Sequence, residues 1–109
     1  MATVTFSAAD DLLYAYLAGE IDHDAAQNLR IQLDDALLTR TPRTLVLDLG
    51  GVGFMDSSGI AVIVRSYRKM RNAGGRMYIE NPQSQPLKVL DASGIDRLIP
   101  IAAKREVTT

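Results

Sequence analysis

The chain has 109 residues, 47% hydrophobic and 23% charged, which is enough apolar material for one compact core. With 12 basic residues against 13 acidic ones, its formal net charge of -1 lacks the basic excess of a nucleic-acid footprint. It contains no cysteine, which excludes a disulfide framework, a thiol nucleophile and any cysteine-held metal.

The start, Met1-Ala2-Thr3-Val4-Thr5, has no basic segment followed by an apolar stretch, so no signal peptide is expected. No apolar run approaches the ~18–20 residues of a membrane helix. These features predict a soluble protein without membrane spans and are compatible with the cytoplasmic location expected of it. No repeat, low-complexity tract or linker divides the chain.

The elements follow in order. Val4 to Ser7 reads as a short strand, and Ala8 to Asp11 as a turn. Leu12 to Ala18 alternates, with Leu13, Ala15 and Leu17 on one side, and predicts a second strand paired to the first as a hairpin. Asp22 or Asp24 can cap a helix running to about Leu38, with Ala26, Leu29, Leu33, Ala36 and Leu37 as its apolar stripe. Thr41-Pro42 ends it. Thr44 to Leu49 is almost continuously apolar, the pattern of a central strand covered on both faces.

A glycine-rich segment, Gly50-Gly51-Val52-Gly53, leads into Phe54-Met55-Asp56-Ser57-Ser58-Gly59. The glycines read as turn residues. They lack the Lys-Ser/Thr pair of a phosphate loop, and Asp56 stands where a dinucleotide fingerprint needs its third glycine. A helix is predicted from about Ser58 to Asn72, with Ile60, Ile63, Val64, Tyr67 and Met70 inward and Arg65, Arg68, Lys69 and Arg71 outward. Gly74-Gly75 stops it. Arg76 to Glu80 is the fourth strand. Ser84 is a candidate cap for a third helix with Leu87 and Leu90 inward, Gly94 ends that helix, and Leu98 to Ile101 is a last strand. After the hairpin, strands and helices alternate. That order predicts an α/β sandwich with a mixed sheet of about five strands and helices mainly on one face.

The segment that carries chemistry is Asp56-Ser57-Ser58-Gly59 at a helix start. Small polar residues there act as caps. The same position suits an anion, because free helix N–H groups and the dipole stabilise negative charge. Both readings fit, and one serine can cap while the other faces solvent. Gly59 keeps the first turn uncluttered. Phe54 is expected in the core and Met55 at the surface, as an adaptable apolar contact. His23, the single histidine, reads as a surface residue of the first helical turn. A hydrolase would need it as base for Ser57 or Ser58, and a lone histidine is thin support.

The chain resembles the STAS domain family, and within it the single-domain bacterial anti-sigma factor antagonists. The matching residues are Gly19-Glu20-Ile21-Asp22, Leu45-Val46-Leu47-Asp48-Leu49, Phe54-Met55-Asp56-Ser57-Ser58-Gly59-Ile60, Gly74-Gly75 and Ala92-Ser93-Gly94-Ile95. The Asp-Ser-Ser-Gly block is the specific piece. The resemblance implies one STAS domain over residues 1–109; no cofactor is expected, and weak nucleotide binding, attributed to some STAS domains, stays open. It implies phosphorylation at Ser57, with Ser58 as the lesser candidate, and a partner surface made of Asp22, Met55, Asp56, Ser57, Ser58 and Gly59. The implied action is partner switching by a non-enzyme that is a monomer when free. The unmodified chain binds an anti-sigma factor that is also a serine kinase, phosphorylation releases it, and a serine phosphatase resets the cycle. The alternative role is an unphosphorylated STAS accessory subunit of a transport or lipid-trafficking complex. The family's members end in a further helix, for which Ala102 to Thr109 leaves one or two turns.

Overall fold

A computed structural model of the chain describes residues 1–102. A five-stranded sheet has the order β1-β2-β3-β4-β5, which is also the chain order. The strands are β1 (Ala2–Ala9), β2 (Leu12–Ile21), β3 (Thr44–Met55), β4 (Arg76–Glu80) and β5 (Ile101–Ala102). The helices are α1 (His23–Arg40) between β2 and β3, α2 (Ser57–Asn72) between β3 and β4, and α3 (Ser84–Ala92) after β4. Strands β1 and β2 form the expected antiparallel hairpin, and every later pairing is parallel.

The inward stripes meet in one core. Leu13, Ala15 and Leu17 of β2 and Leu45, Leu47 and Leu49 of β3 pack beneath Leu29 and Leu33 of α1, Ile63 and Met70 of α2, and Leu90 of α3. The helix breaks occur where the sequence puts them: Thr41 adopts a left-handed conformation before Pro42, and Gly74 has φ 77° after α2. No helix among the described residues is long and apolar enough to cross a membrane.

The structure corrects four details. The apolar run of β3 is central, but helices cover one face only. Val46, buried on the other face, is flanked in register by Tyr14 and Tyr78. Strand β3 runs on to Met55, so Gly50, Gly51 and Gly53 lie in a strand rather than a turn. Pro86 and Leu90, one turn apart, are the buried residues of α3, and Leu87 is only half-buried; Ser84 is the first helical residue and Gln83 occupies the cap position without a side-chain capping bond. Of the expected last strand, Leu98 to Pro100 form a connection that follows a 3₁₀ turn (Ile95–Arg97), with Ile99 buried and Leu98 exposed, and only Ile101 enters β5. The family's terminal helix would fall mainly on residues 103–109, which lie outside the described residues.

The core is close-packed around fully buried Leu29. Leu29→Ala is expected to cost about 2–5 kcal/mol, read as a lower urea midpoint at unchanged slope.

Candidate functional site

Two parallel strands end together. Ile21 of β2 and Met55 of β3 are register partners, and each is followed by an aspartate. Asp22 and Asp56 both have extended backbones, and each caps the helix it precedes. The Ala25 N–H donates to Asp22 Oδ1 at 2.9 Å, and the Ser58 N–H to Asp56 Oδ1 at 2.8 Å. Asp56 N–H also donates to the Ile21 carbonyl at 3.2 Å, which ties the two strand ends across the gap. Two helix N-termini therefore start side by side at the carboxyl ends of adjacent parallel strands, the usual place for a site in a sheet of this kind.

The capping assignment is resolved. Asp22, not Asp24, caps α1, and Asp56, not a serine, caps α2. Ser57 is the first residue of α2 and is exposed, and its hydroxyl has no capping role. Ser58 is half-buried in a cleft between α1 and α2, with His23, Gln27, Arg30 and Arg65 around it. The bond from the Ala25 N–H holds the Asp22 carboxyl below its ordinary range, with desolvation opposing it.

Of the six residues expected at the partner surface, Asp22, Asp56, Ser57 and Ser58 meet here. Met55 does not belong with them. It is fully buried, whereas Phe54 is 41% exposed, the reverse of the expectation. Two bulges explain the exchange. From Tyr16↔Asp48 to Ala18↔Gly51, and again from Gly19↔Val52 to Glu20↔Phe54, β3 has one residue more than β2. Simple alternation fails at each extra residue. Inward positions fall at Leu49, Val52 and Met55, three apart instead of two. Glycine is required within this stretch: a Cβ on Gly51 would lie 2.8 Å from Ala18 Cβ and 3.0 Å from the Leu17 carbonyl oxygen.

Gly59 is buried too, and serves packing rather than the surface. A Cβ there would sit 2.3 Å from Met55 Cγ and 2.6 Å from its sulfur. Met55 thus lies directly under the first turn of α2, and that turn can descend onto it only because residue 59 has no side chain.

Side-chain bonds that the sequence did not flag support β3: one braces its last residue paired with β4, and the others hold its free edge. Asn81 Nδ2 donates to Asp48 Oδ2 at 2.8 Å, and Gln83 Nε2 to the Gly50 carbonyl at 2.8 Å. Gln85 accepts from the Met55 N–H at 2.8 Å and donates to the Met55 carbonyl at 2.9 Å. A glutamine in the first turn of a helix carries no sequence signal for such a contact, which depends on where α3 docks.

The basic side of α2 is partly committed. Arg65 Nη2 lies 2.9 Å from Asp34 Oδ2 on α1, and Arg65 Nε also reaches that carboxylate. This partner holds the guanidinium above its ordinary value. Lys69 is 4.0 Å from the same carboxylate, and Arg71 donates to the Tyr67 hydroxyl. Arg68 is exposed. His23 is exposed at the start of α1, and among the described residues no group of three or more His, Cys, Asp or Glu could hold a metal.

Residues 4–107 match the STAS domain family. The chain belongs to that family. Among curated relatives, this STAS domain is similar to an anti-sigma F factor antagonist of Paenibacillus polymyxa, 36% identical over 90 residues, which are 83% of this chain and 77% of the relative. Its fold is that of an anti-sigma factor antagonist from Mycobacterium paratuberculosis, with TM-score 0.86 at 22% identity over 95% of this chain and 87% of the other. It also superimposes on SpoIIAA, an anti-sigma factor antagonist and Bacillus cell fate determinant. At 24% identity over 94% of this chain, the TM-score is 0.80 for the unphosphorylated form, of which 90% is covered, and 0.72 for the phosphorylated form, of which 93% is covered.

Two outcomes test this STAS domain's geometry. Gly59→Ala forces Met55 to move within a closed core and is expected to cost about 1–3 kcal/mol in chemical unfolding. Asp22 has a lowered folded pKa, so the unfolded chain binds more protons in acid and stability rises with pH. The contribution is complete above the ordinary carboxyl value of 3.8 and is lost as pH falls through the lower folded value. Asp22→Asn keeps a capping oxygen but not the titration. Its unfolding profile is expected to be flatter than the wild type's below pH 3.8, measured by thermal denaturation against pH.

Proposed function

We propose that this STAS domain is an anti-sigma factor antagonist that acts by partner switching in the cytoplasm, with Ser57 as the phosphorylated residue. It works by binding rather than by catalysing a reaction. The unmodified chain binds an anti-sigma factor that is also a serine kinase, and the sigma factor is released. Phosphorylation from Mg-ATP ends the complex, and a serine phosphatase restores it. The names of the relatives support this reading, but one observation of the chain's own carries it. Ser57 is exposed at the first position of α2, and the cap is made by Asp56 instead.

That division of labour gives the switch its physics. A phosphate on Ser57 adds about -1.5 to -2 charges. In the free protein, the N–H groups and dipole of α2 favour it and water solvates it, so the fold survives. In a packed complex the same charge stands beside Asp56 and near Asp22 and must be desolvated. Each ~1.4 kcal/mol of that cost weakens binding tenfold, and an uncompensated interfacial charge costs several times as much. Phe54, exposed at the same end of β3, supplies the apolar contact expected of Met55.

The test is phosphorylation by candidate anti-sigma kinases with Mg-ATP, mapped by mass spectrometry. One phosphate is expected, at Ser57. Ser57→Ala should bind the kinase and take up none, and Ser57→Asp should bind at least about tenfold more weakly. Equal binding by both variants would remove the switch from the reading.

A further inference from the structure

The last part of β3 has an edge that no strand covers. Its pairing with β4 stops at Asp48↔Glu80, and Met55 lies well beyond that point. There Gln85 substitutes for a strand. Its amide offers one acceptor and one donor, and both go to the backbone of a single residue, Met55. A neighbouring strand would satisfy the same N–H and carbonyl in the same way. On the opposite edge Met55 is paired with Ile21, and its side chain is held beneath Gly59. The residue before the Asp56 cap is thus fixed on both edges and through its side chain. Two of these restraints come from the sheet and the core, and the third comes from α3 alone.

We infer that Gln85 is a positioning residue: by clamping the Met55 backbone it fixes where Asp56 and Ser57 leave the sheet, and so makes Ser57 rather than Ser58 the serine presented to the kinase. The inference rests on the proposed phosphorylation at Ser57. The two serines differ in presentation, not in chemistry. Ser57 is exposed, whereas Ser58 is half-buried against α1 with its N–H in the Asp56 cap. That difference lasts only while the first turn of α2 keeps its place. A shift of about 1 Å at a reacting hydroxyl can cost about a hundredfold in rate. Freed of the clamp, the turn loosens and Ser58 gains access.

The test uses the full chain, its phosphorylating anti-sigma kinase and Mg-ATP. It reads the partition of phosphate between Ser57 and Ser58 alongside amide hydrogen exchange at Met55. Gln85→Ala is expected to speed Met55 exchange about tenfold or more, slow Ser57 phosphorylation by a similar factor, and let phosphate appear on Ser58. Gln83→Ala removes a bond to the same edge, at Gly50, and should leave the partition as in the wild type. Gln85→Glu, protonated in acid, regains one acceptor and one donor, so Met55 protection should return as pH is lowered. Unchanged Met55 exchange in Gln85→Ala would overturn the clamp. Fast exchange with a wild-type rate and partition would overturn its role in site choice. If the wild type itself takes no phosphate at Ser57, the proposed function falls, and the site-choice inference with it.

Discussion

The arrangement depends on the parallel pairing of β2 with β3 and on its ending in register at Ile21 and Met55. Because the strands stop together, their next residues stop together, and both are aspartates that cap helices. Two helix N-termini are thereby placed side by side without a dedicated loop. The register could not hold with uninterrupted strands. Strand β3 takes up two extra residues along the shared length, and Gly51, beside the first of them, permits the close approach to Leu17 and Ala18 of β2.

The choice of aspartate as cap separates stability from signalling. A capping serine is worth about 1 kcal/mol to its helix, and modifying it would put that at risk. Here Asp56 holds the Ser58 N–H and Ser57 is spared. A phosphate on Ser57 therefore changes the charge of the surface without removing a bond that maintains the helix. Beneath the surface, Met55 and Gly59 fit together so tightly that the turn carrying Ser57 has one seat on the sheet.

Much of this was legible in the sequence, and the failures have physical causes. The helix stripes were readable because Leu29, Leu33 and Leu37 repeat at a period that only a helix puts on one face. The site block was readable because Asp-Ser-Ser-Gly after an apolar strand is both a capping pattern and a family signature. The exposures of Phe54 and Met55 were misjudged because bulges reset the strand's alternation, and bulges depend on the partner strand's register. Neither Gln85 nor Gln83 could be found from the sequence. Their bonds join β3 to the segment after β4, and polar side chains making such long-range contacts leave no periodic trace. The cap of α3 failed for a related reason: Gln83 holds the cap position, but its side chain is turned to the Gly50 carbonyl.

The charge pattern around Ser57 points the same way as the geometry. Asp22 and Asp56 already occupy the two helix starts, so much of the attraction those dipoles offer an anion is taken up by carboxylates. Arg65 is eight residues along α2 from Ser57, or about 12 Å at the helical rise, and it is engaged with Asp34. Arg68 is a further turn away. A phosphate at Ser57 thus meets enough backbone N–H character to be tolerated in water and no adjacent cation on its own helix to neutralise it. The balance of binding then rests with the groups a partner brings. A partner surface shaped for a neutral serine beside two carboxylates must, to keep its grip, either admit water or supply a cation. An interface that does neither releases the phosphorylated chain.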